Sequence, residues 1–297
     1  MSRRGLGQTA LLVAAGLVLA LAILLPFLWA LSASLQTESA LFERPPHWVP
    51  DPATTENYQY VFTGEVPQAY EVRGLLRSPV TQEARTLPDG LRNSFIVASF
   101  VVLINLVLGT LAAYTFARER FRGGQAAFVF ILGSRLLPVV AVAIPIYMVL
   151  RELELLDTKL ALVLVHSAFT LPFTIWVLTL YFRSLPREME EAARVDGATR
   201  FGALRHVVLP LAAPGLAAVG AFAFLFSYSE FMFALLTTST TNAKTVPVMI
   251  SAISVNPDAS YTLIAVGIVL SIAAPMALAL VFRRYITTGL VASLTRD

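Results

Sequence analysis

The stretch Ser184–Pro210, SLPREMEEAARVDGATRFGALRHVVLP, decides how the chain is read. It is the longest polar interval between apolar runs in the second half of the sequence. Its residues spell helix, glycine turn, helix. Pro186 suits a first helical turn, and Glu188, Glu190 and Glu191 put negative charge at the positive end of the helix dipole. Gly197 supplies a residue able to adopt the left-handed conformation that closes a helix. Thr199 can cap a second helix through Phe201, Leu204 and Val208, which Pro210 interrupts at the next apolar run. Two short polar helices between apolar runs form either a docking element or a capped connector lying at a membrane surface. Helix grammar alone leaves both open.

Working outward, the chain has 297 residues, of which 57% are hydrophobic. Only 14% are charged, against roughly 25% in soluble domains. Mean hydropathy is +0.71. Apolar runs at about Thr9–Leu35, Ser94–Ala117, Gln125–Leu150, Leu160–Phe182, Leu211–Leu236 and Thr262–Phe282 are each long enough to cross about 30 Å of hydrocarbon as a helix. The expectation is an all-α polytopic membrane protein with six transmembrane helices. Ser32-Ala33-Ser34 could serve as a cleavage site, but the run before it exceeds the ~7–15 apolar residues of a cleavable signal and reads as a retained span. The organisation is then an N-terminal span over 1–35, an external loop over 36–92 with short helices near Thr55–Phe62 and Thr81–Leu87, and a five-helix core over 93–297 holding the 184–210 interval. Prolines 138, 145, 172, 214 and 275 within or beside the runs suggest bent helices around a pathway, although packing kinks leave the same trace.

Arginine placement sets an expected orientation. Arg3 and Arg4, Arg118–Arg122, the arginines of the 184–210 interval and Arg283, Arg284 and Arg296 fall on one side. The short loops opposite hold Arg151, Lys159 and Lys244. By the positive-inside bias both termini and the 184–210 interval face the cytoplasm. The net charge of +3 is explained this way, without nucleic acid.

Much chemistry is excluded. With Lys159 and Lys244 the only lysines, neither in a Gly-Lys-Ser/Thr context, no phosphate-cradling loop exists and any ATP hydrolysis belongs to another polypeptide. His47, His166 and His206 show no metal spacing, there are no cysteines, and no serine-nucleophile elbow occurs, so no catalytic or metal site is expected. Two charges do lie inside predicted spans, Arg135 and Glu230, and intramembrane charge usually faces a cavity or a partner. Counting rise per residue along straight spans places Arg135 about 15 Å deep from one side and Glu230 about 10 Å from the other. The two are therefore expected to pair, directly or through water. Tyr228, Ser229 and Glu230 form an aromatic, hydroxyl and carboxylate group that suits a sugar, or equally a polar knot between helices.

Glu191-Ala192-Ala193, three residues, Gly197, nine residues, Val207, one residue and Leu209-Pro210 resemble the EAA motif of bacterial ABC importer permeases, with Val207 in place of the usual isoleucine. Further segments are similar to the maltose-type carbohydrate permeases of that group: Pro45–Pro50 with Asn57-Tyr58, Leu111–Tyr114 with Arg118–Gly123, Arg135–Pro138 with Pro145 and Tyr147, Ser227–Phe231, and Thr288-Gly289-Leu290. Many relatives have Trp-Asn where this chain has Tyr228-Ser229.

The resemblance implies a type I permease fold in the bacterial cytoplasmic (inner) membrane, paired with a second, homologous permease. It implies two ATPase subunits that carry ATP and Mg, no cofactor on this chain, and an extracytoplasmic sugar-binding protein. It assigns ATPase coupling to Glu191, Ala192, Ala193, Asp196 and Gly197. The implied function is sugar import by alternating access, of a maltose- or trehalose-type disaccharide or a short maltodextrin. A permease for a monosaccharide or glycerol phosphate, and a membrane-embedded enzyme or channel, are the alternatives.

Orientation is testable with single cysteines, because the chain has none of its own. Thr63→Cys should react with an impermeant thiol reagent in spheroplasts, and Thr199→Cys only after the membrane is opened. The opposite labelling pattern would reverse the orientation.

Overall fold

The structure is a computed structural model describing residues 6–66, 83–255 and 260–294. Its elements are helices: α1 (Leu6–Ser34), α2 (Glu38–Leu41), α3 (Glu56–Thr63), α4 (Leu87–Arg118), α5 (Gly124–Gly133), α6 (Val139–Glu152), α7 (Lys159–Ser184), α8 (Glu188–Val195), α9 (Arg200–Leu211), α10 (Ala213–Ser229), α11 (Met232–Thr237), α12 (Val246–Val255) and α13 (Tyr261–Leu294). The second expected loop helix loses Thr81 and Gln82 to the region outside the described residues, as do Arg3, Arg4 and Arg296.

Among the described residues, four helical stretches are long and apolar enough to cross a membrane, Ala10–Ser34, Leu87–Arg118, Lys159–Ser184 and Tyr261–Arg283, and two bent pairs bring the total to as many as six. The third expected span is α5 and α6, which meet at 99°. Pro138 stands at the start of α6, where its missing N–H leaves the preceding helix without a continuing hydrogen bond. The fifth expected span is α10, joined at 79° to α9. Pro214, in the first turn of α10, accounts for that break in the same way. A second break follows at Glu230–Phe231, so the run expected to end at Leu236 is a helix, a gap and the short α11.

The chain folds as two compact units, Met1–Pro88 with Met249–Ala273, and Asp89–Val248 with Ala274–Asp297. In the first, Tyr60, Val61, Ala84, Leu87, Met249, Ile253, Leu263 and Val266 form a buried cluster. Glu38 closes the start of α13: its carboxylate accepts from the Tyr261 and Thr262 backbone N–H groups at 3.1 and 3.2 Å and from the Ser260 hydroxyl at 2.9 Å. Negative charge thus sits at the positive end of the longest helix.

In the second unit the central pairing is α4 on α7. Asn105 lies in a π turn, Asn105–Gly109, within α4. Its amide donates to Thr170 Oγ1 at 2.7 Å, and its carbonyl accepts from Thr174 Oγ1 at 2.9 Å. All three side chains are buried, so this seam satisfies polar groups that would be costly alone in an apolar surround. One turn on, Gly109 lets α7 approach: a Cβ there would lie 2.6 Å from Thr174 Cγ2.

Gly109→Ala should therefore destabilise the detergent-solubilised protein by about 1–3 kcal/mol, read as a lower unfolding temperature. Thr174→Ser in the same chain, which removes the methyl and keeps the hydroxyl, should recover most of the loss. A neutral Gly109→Ala would show that the α4–α7 contact has slack.

Candidate functional site

The 184–210 interval folds as its residues suggest, with one shift. Pro186 precedes α8, whose first helical residue is Glu188. Three carboxylates, Glu188, Glu190 and Glu191, occupy the first turn and Arg194 the last, matching the helix dipole at both ends. Gly197 has φ of 93°, and a paired cap ends the helix: its N–H donates to Arg194 O at 3.1 Å and that of Ala198 to Ala193 O at 3.0 Å. Thr199 then caps α9, accepting from the Gly202 N–H at 3.1 Å.

The two faces of α8 differ. Glu191, Ala192, Asp196 and Gly197 are exposed and Ala193 is half-buried. Val195 beside them is 87% exposed, and Phe201 on α9 is 64% exposed. The opposite face is anchored by Glu190, which sequence reasoning passed over in favour of Glu191. Glu190 is buried and accepts from the Tyr114 hydroxyl and from Arg118 Nε at 2.9 Å. Arg118 also donates to Leu185 O at 3.3 Å, on the connector into α8. The available signal was the spacing of Tyr114 and Arg118, one helical turn apart on α4 and so on one face.

The second group of expected residues lies around the α10–α11 break. Glu230 has extended backbone there, and its carboxylate accepts from the N–H groups of Phe233 at 2.9 Å and Ala234 at 3.2 Å. Those donors belong to the first turn of α11 and have no partner within that helix. Glu230 Oε2 also lies 3.2 Å from Nε2 of His166, a buried residue on α7. The other imidazole nitrogen, Nδ1, meets Ser227 Oγ at 2.8 Å. A carboxylate, an imidazole and a hydroxyl thus join α7, α10 and α11.

This corrects the expected Arg135–Glu230 pair. Arg135 sits in the turn between α5 and α6, exposed, with its guanidinium 5.8 Å from the centre of the Phe173 ring. The depth estimate assumed a straight third span, and the 99° bend at that turn removes its basis. Of the remaining residues, Ser229 is exposed and donates to Leu225 O at 2.7 Å. Tyr228 is buried, stacked 5.6 Å from Phe224, and its hydroxyl has no partner among the described residues.

Known proteins place this arrangement. Residues 105–291 match the family model described as binding-protein-dependent transport system inner membrane component. The trehalose/maltose transport system permease protein of Thermococcus litoralis is 32% identical over 95% of both chains. The sulfoquinovosyl glycerol transport system permease protein of Agrobacterium fabrum is 31% identical over 91% of this chain and 87% of its own. The trehalose transport system permease protein of Mycobacterium tuberculosis is 31% identical over 90% of each. A crystal structure of a bacterial ABC transporter involved in the import of the acidic polysaccharide alginate shares the fold, with a TM-score of 0.76 at 21% identity over 96% of this chain and 99% of that one. The chain belongs to the family of binding-protein-dependent transport system inner membrane components, the multi-pass permeases of ABC transporters.

Proposed function

We propose that this permease carries a sugar into the cytoplasm as one subunit of an ATP-driven importer, and that α8 is where the driving ATPase docks. The observation that carries the docking reading is the asymmetry of α8. A short helix showing Glu191, Ala192, Val195 and Asp196 outward while Glu190 is locked inward suits a second protein on its outer face. ATP and Mg belong to the partner ATPase subunits and supply the driving energy. In this reading Glu191 makes a charge-assisted contact to an arginine or lysine of that partner. Ala192 and Ala193 keep the contact face low, and Asp196 and Gly197 end the helix so that α9 can leave it at an angle. Both termini and α8 lie on the cytoplasmic side, and the 36–92 loop faces a sugar-binding protein outside. A second, homologous permease completes the pathway.

The solute reading rests on the relatives, whose names specify trehalose or maltose, trehalose, and sulfoquinovosyl glycerol. An α-linked disaccharide or short maltodextrin is the solute proposed for this chain. Arg135 and Ser229, both exposed, are the pathway residues able to meet it directly. Glu230 acts behind them by shaping the α10–α11 break, and Tyr228 backs them by packing on Phe224.

The transporter reconstituted with its ATPase and binding protein tests both parts. ATP hydrolysis should rise with the binding protein plus maltose, trehalose or maltotriose, and stay flat with glucose or glycerol phosphate. Glu191→Ala should weaken ATPase association roughly tenfold, the size of one charge-assisted hydrogen bond. Gly197→Val should do worse because a β-branched residue is strained at φ of 93°, even though open space surrounds the position. Normal transport by both variants would remove the docking role from α8. A flat response across the disaccharides would remove the solute assignment and leave the docking reading standing.

A further inference from the structure

We propose that the cleft between the end of α4, the start of α5 and the end of α7 is a binding site for the phosphate of an acidic phospholipid. The cleft has a volume of about 340 Å³, inside the roughly 300–1,000 Å³ range of small-molecule sites. Its walls carry Arg118, Arg120, Arg183 and Arg187 against a single carboxylate, Glu119. That carboxylate is already engaged by Arg200 at 2.5 Å, and Arg118 is engaged by Glu190. Among the described residues no carboxylate pairs with Arg120, Arg183 or Arg187. Arg183 and Arg187 each donate one bond to a backbone carbonyl at the end of α4, Phe116 O at 3.2 Å and Ala117 O at 3.3 Å. Those bonds hold the guanidinium groups in place and leave most of their donors uncommitted.

Two further observations point to an anion. Arg118, with a side chain only 6% exposed, keeps a buried Nη1 without a partner among the described residues. Gly124 and Gln125, the first residues of α5, also line the cleft, so the positive end of that helix contributes to the same field. Guanidinium groups are suited to phosphate because their planar donors match its oxygens in pairs.

The rest of the cleft favours a lipid over a free ion. Phe116 packs against Phe121 and Phe128 with ring centres 5.8 and 5.3 Å apart, and all three line the cavity. Arg183 lies 6.0 Å from the Phe128 ring. Phe121 is exposed at the rim, and α5 continues from it with Val129 and Phe130 also exposed. A phosphate held by the arginines would therefore leave glycerol and acyl chains beside an apolar helix that belongs in hydrocarbon. Basic pockets where spans emerge from the bilayer are the setting in which acidic headgroups bind.

Native mass spectrometry of the whole transporter, exchanged into phosphatidylglycerol or cardiolipin and separately into phosphatidylcholine of the same chains, tests this. Acidic lipid should be retained preferentially. Arg120→Gln, whose side chain is exposed, should lower its occupancy about fivefold, and adding Arg183→Gln should lower it by a similar factor again. Arg183→Lys keeps the charge and should restore much of the second loss if the pair is still folded. Arg151→Gln, on the opposite side, should change nothing. Equal retention of acidic and neutral lipid, or unchanged occupancy in the double variant, would overturn the site. Inorganic phosphate protecting against thermal unfolding as well as the lipid does would overturn the lipid as its occupant. Retention of the lipid only after the ATPase subunits are stripped from the complex would assign the basic wall to the protein partner and also overturn it.

Discussion

The carboxylate of Glu190, buried against Tyr114 and Arg118, is the interaction on which the proposed docking role of α8 depends. α8 has eight residues, well below the ~12–15 at which an isolated helix begins to hold in water. Its acidic first turn and the glycine cap at Gly197 help, but neither ties it to the membrane helices. Glu190 does. Both partners of the ion pair are close to fully buried, so stranding either one would leave an uncompensated charge at a cost of about 3–5 kcal/mol. A pair of that kind specifies geometry more than it adds stability. Here the geometry it specifies is the attitude of the exposed Glu191–Ala192 face relative to α4, and α4 in turn is sewn to α7 by the Asn105, Thr170 and Thr174 seam. In the docking reading proposed above, force applied to the outer face of α8 would be delivered to α4 and α7 together.

A second carboxylate performs a related task deeper in the unit. Glu230 stands where the fifth apolar run breaks and satisfies two N–H groups of α11 that the break leaves open. His166 approaches the same carboxylate from α7, and Ser227 from α10 holds the other side of that imidazole. A broken helix inside a membrane is tolerated when side chains replace the lost backbone bonds. The break therefore has a defined shape, set by the Glu230 carboxylate, side chains from α7 and α10, and backbone donors of α11. The prolines at the other two breaks act differently, by removing a donor, and no carboxylate is needed there.

Much of this was legible in the residues. The apolar runs located the helices because lipid-facing helices carry no polar stripe to blur their ends, and the acidic turn, Gly197 and Thr199 located α8 and α9 because capping chemistry is local. What failed was what depends on tertiary geometry. The inward anchoring role of Glu190 was missed, because nothing in a linear string says which of two adjacent carboxylates faces inward. The arginine at Tyr114 plus four did carry that information, but only once α4 and α8 are known to touch. The Arg135–Glu230 pairing failed because rise per residue measures depth only along an unbroken helix, and Pro138 and Pro214 were read as kinks where the chain turns sharply. His166 was read only as a histidine without metal spacing, and its role beside Glu230 appears once α7, α10 and α11 are brought together.

If Glu190 fixes α8 to α4, the two helices move as one body while the transporter works. Arg194 and Thr115 are exposed, on α8 and α4 respectively, and with no native cysteine each can carry a spin label without background. The distance between labels at these two positions, measured by pulsed electron paramagnetic resonance in the assembled transporter without nucleotide and with a trapped ATP analogue, tests rigidity directly. The expected result is one narrow distribution that does not move between the two states and broadens when Glu190→Gln is introduced. A shift on the order of ~5 Å between the states in the unmodified background, one helical turn of sliding, would contradict it and show that α8 moves independently of α4.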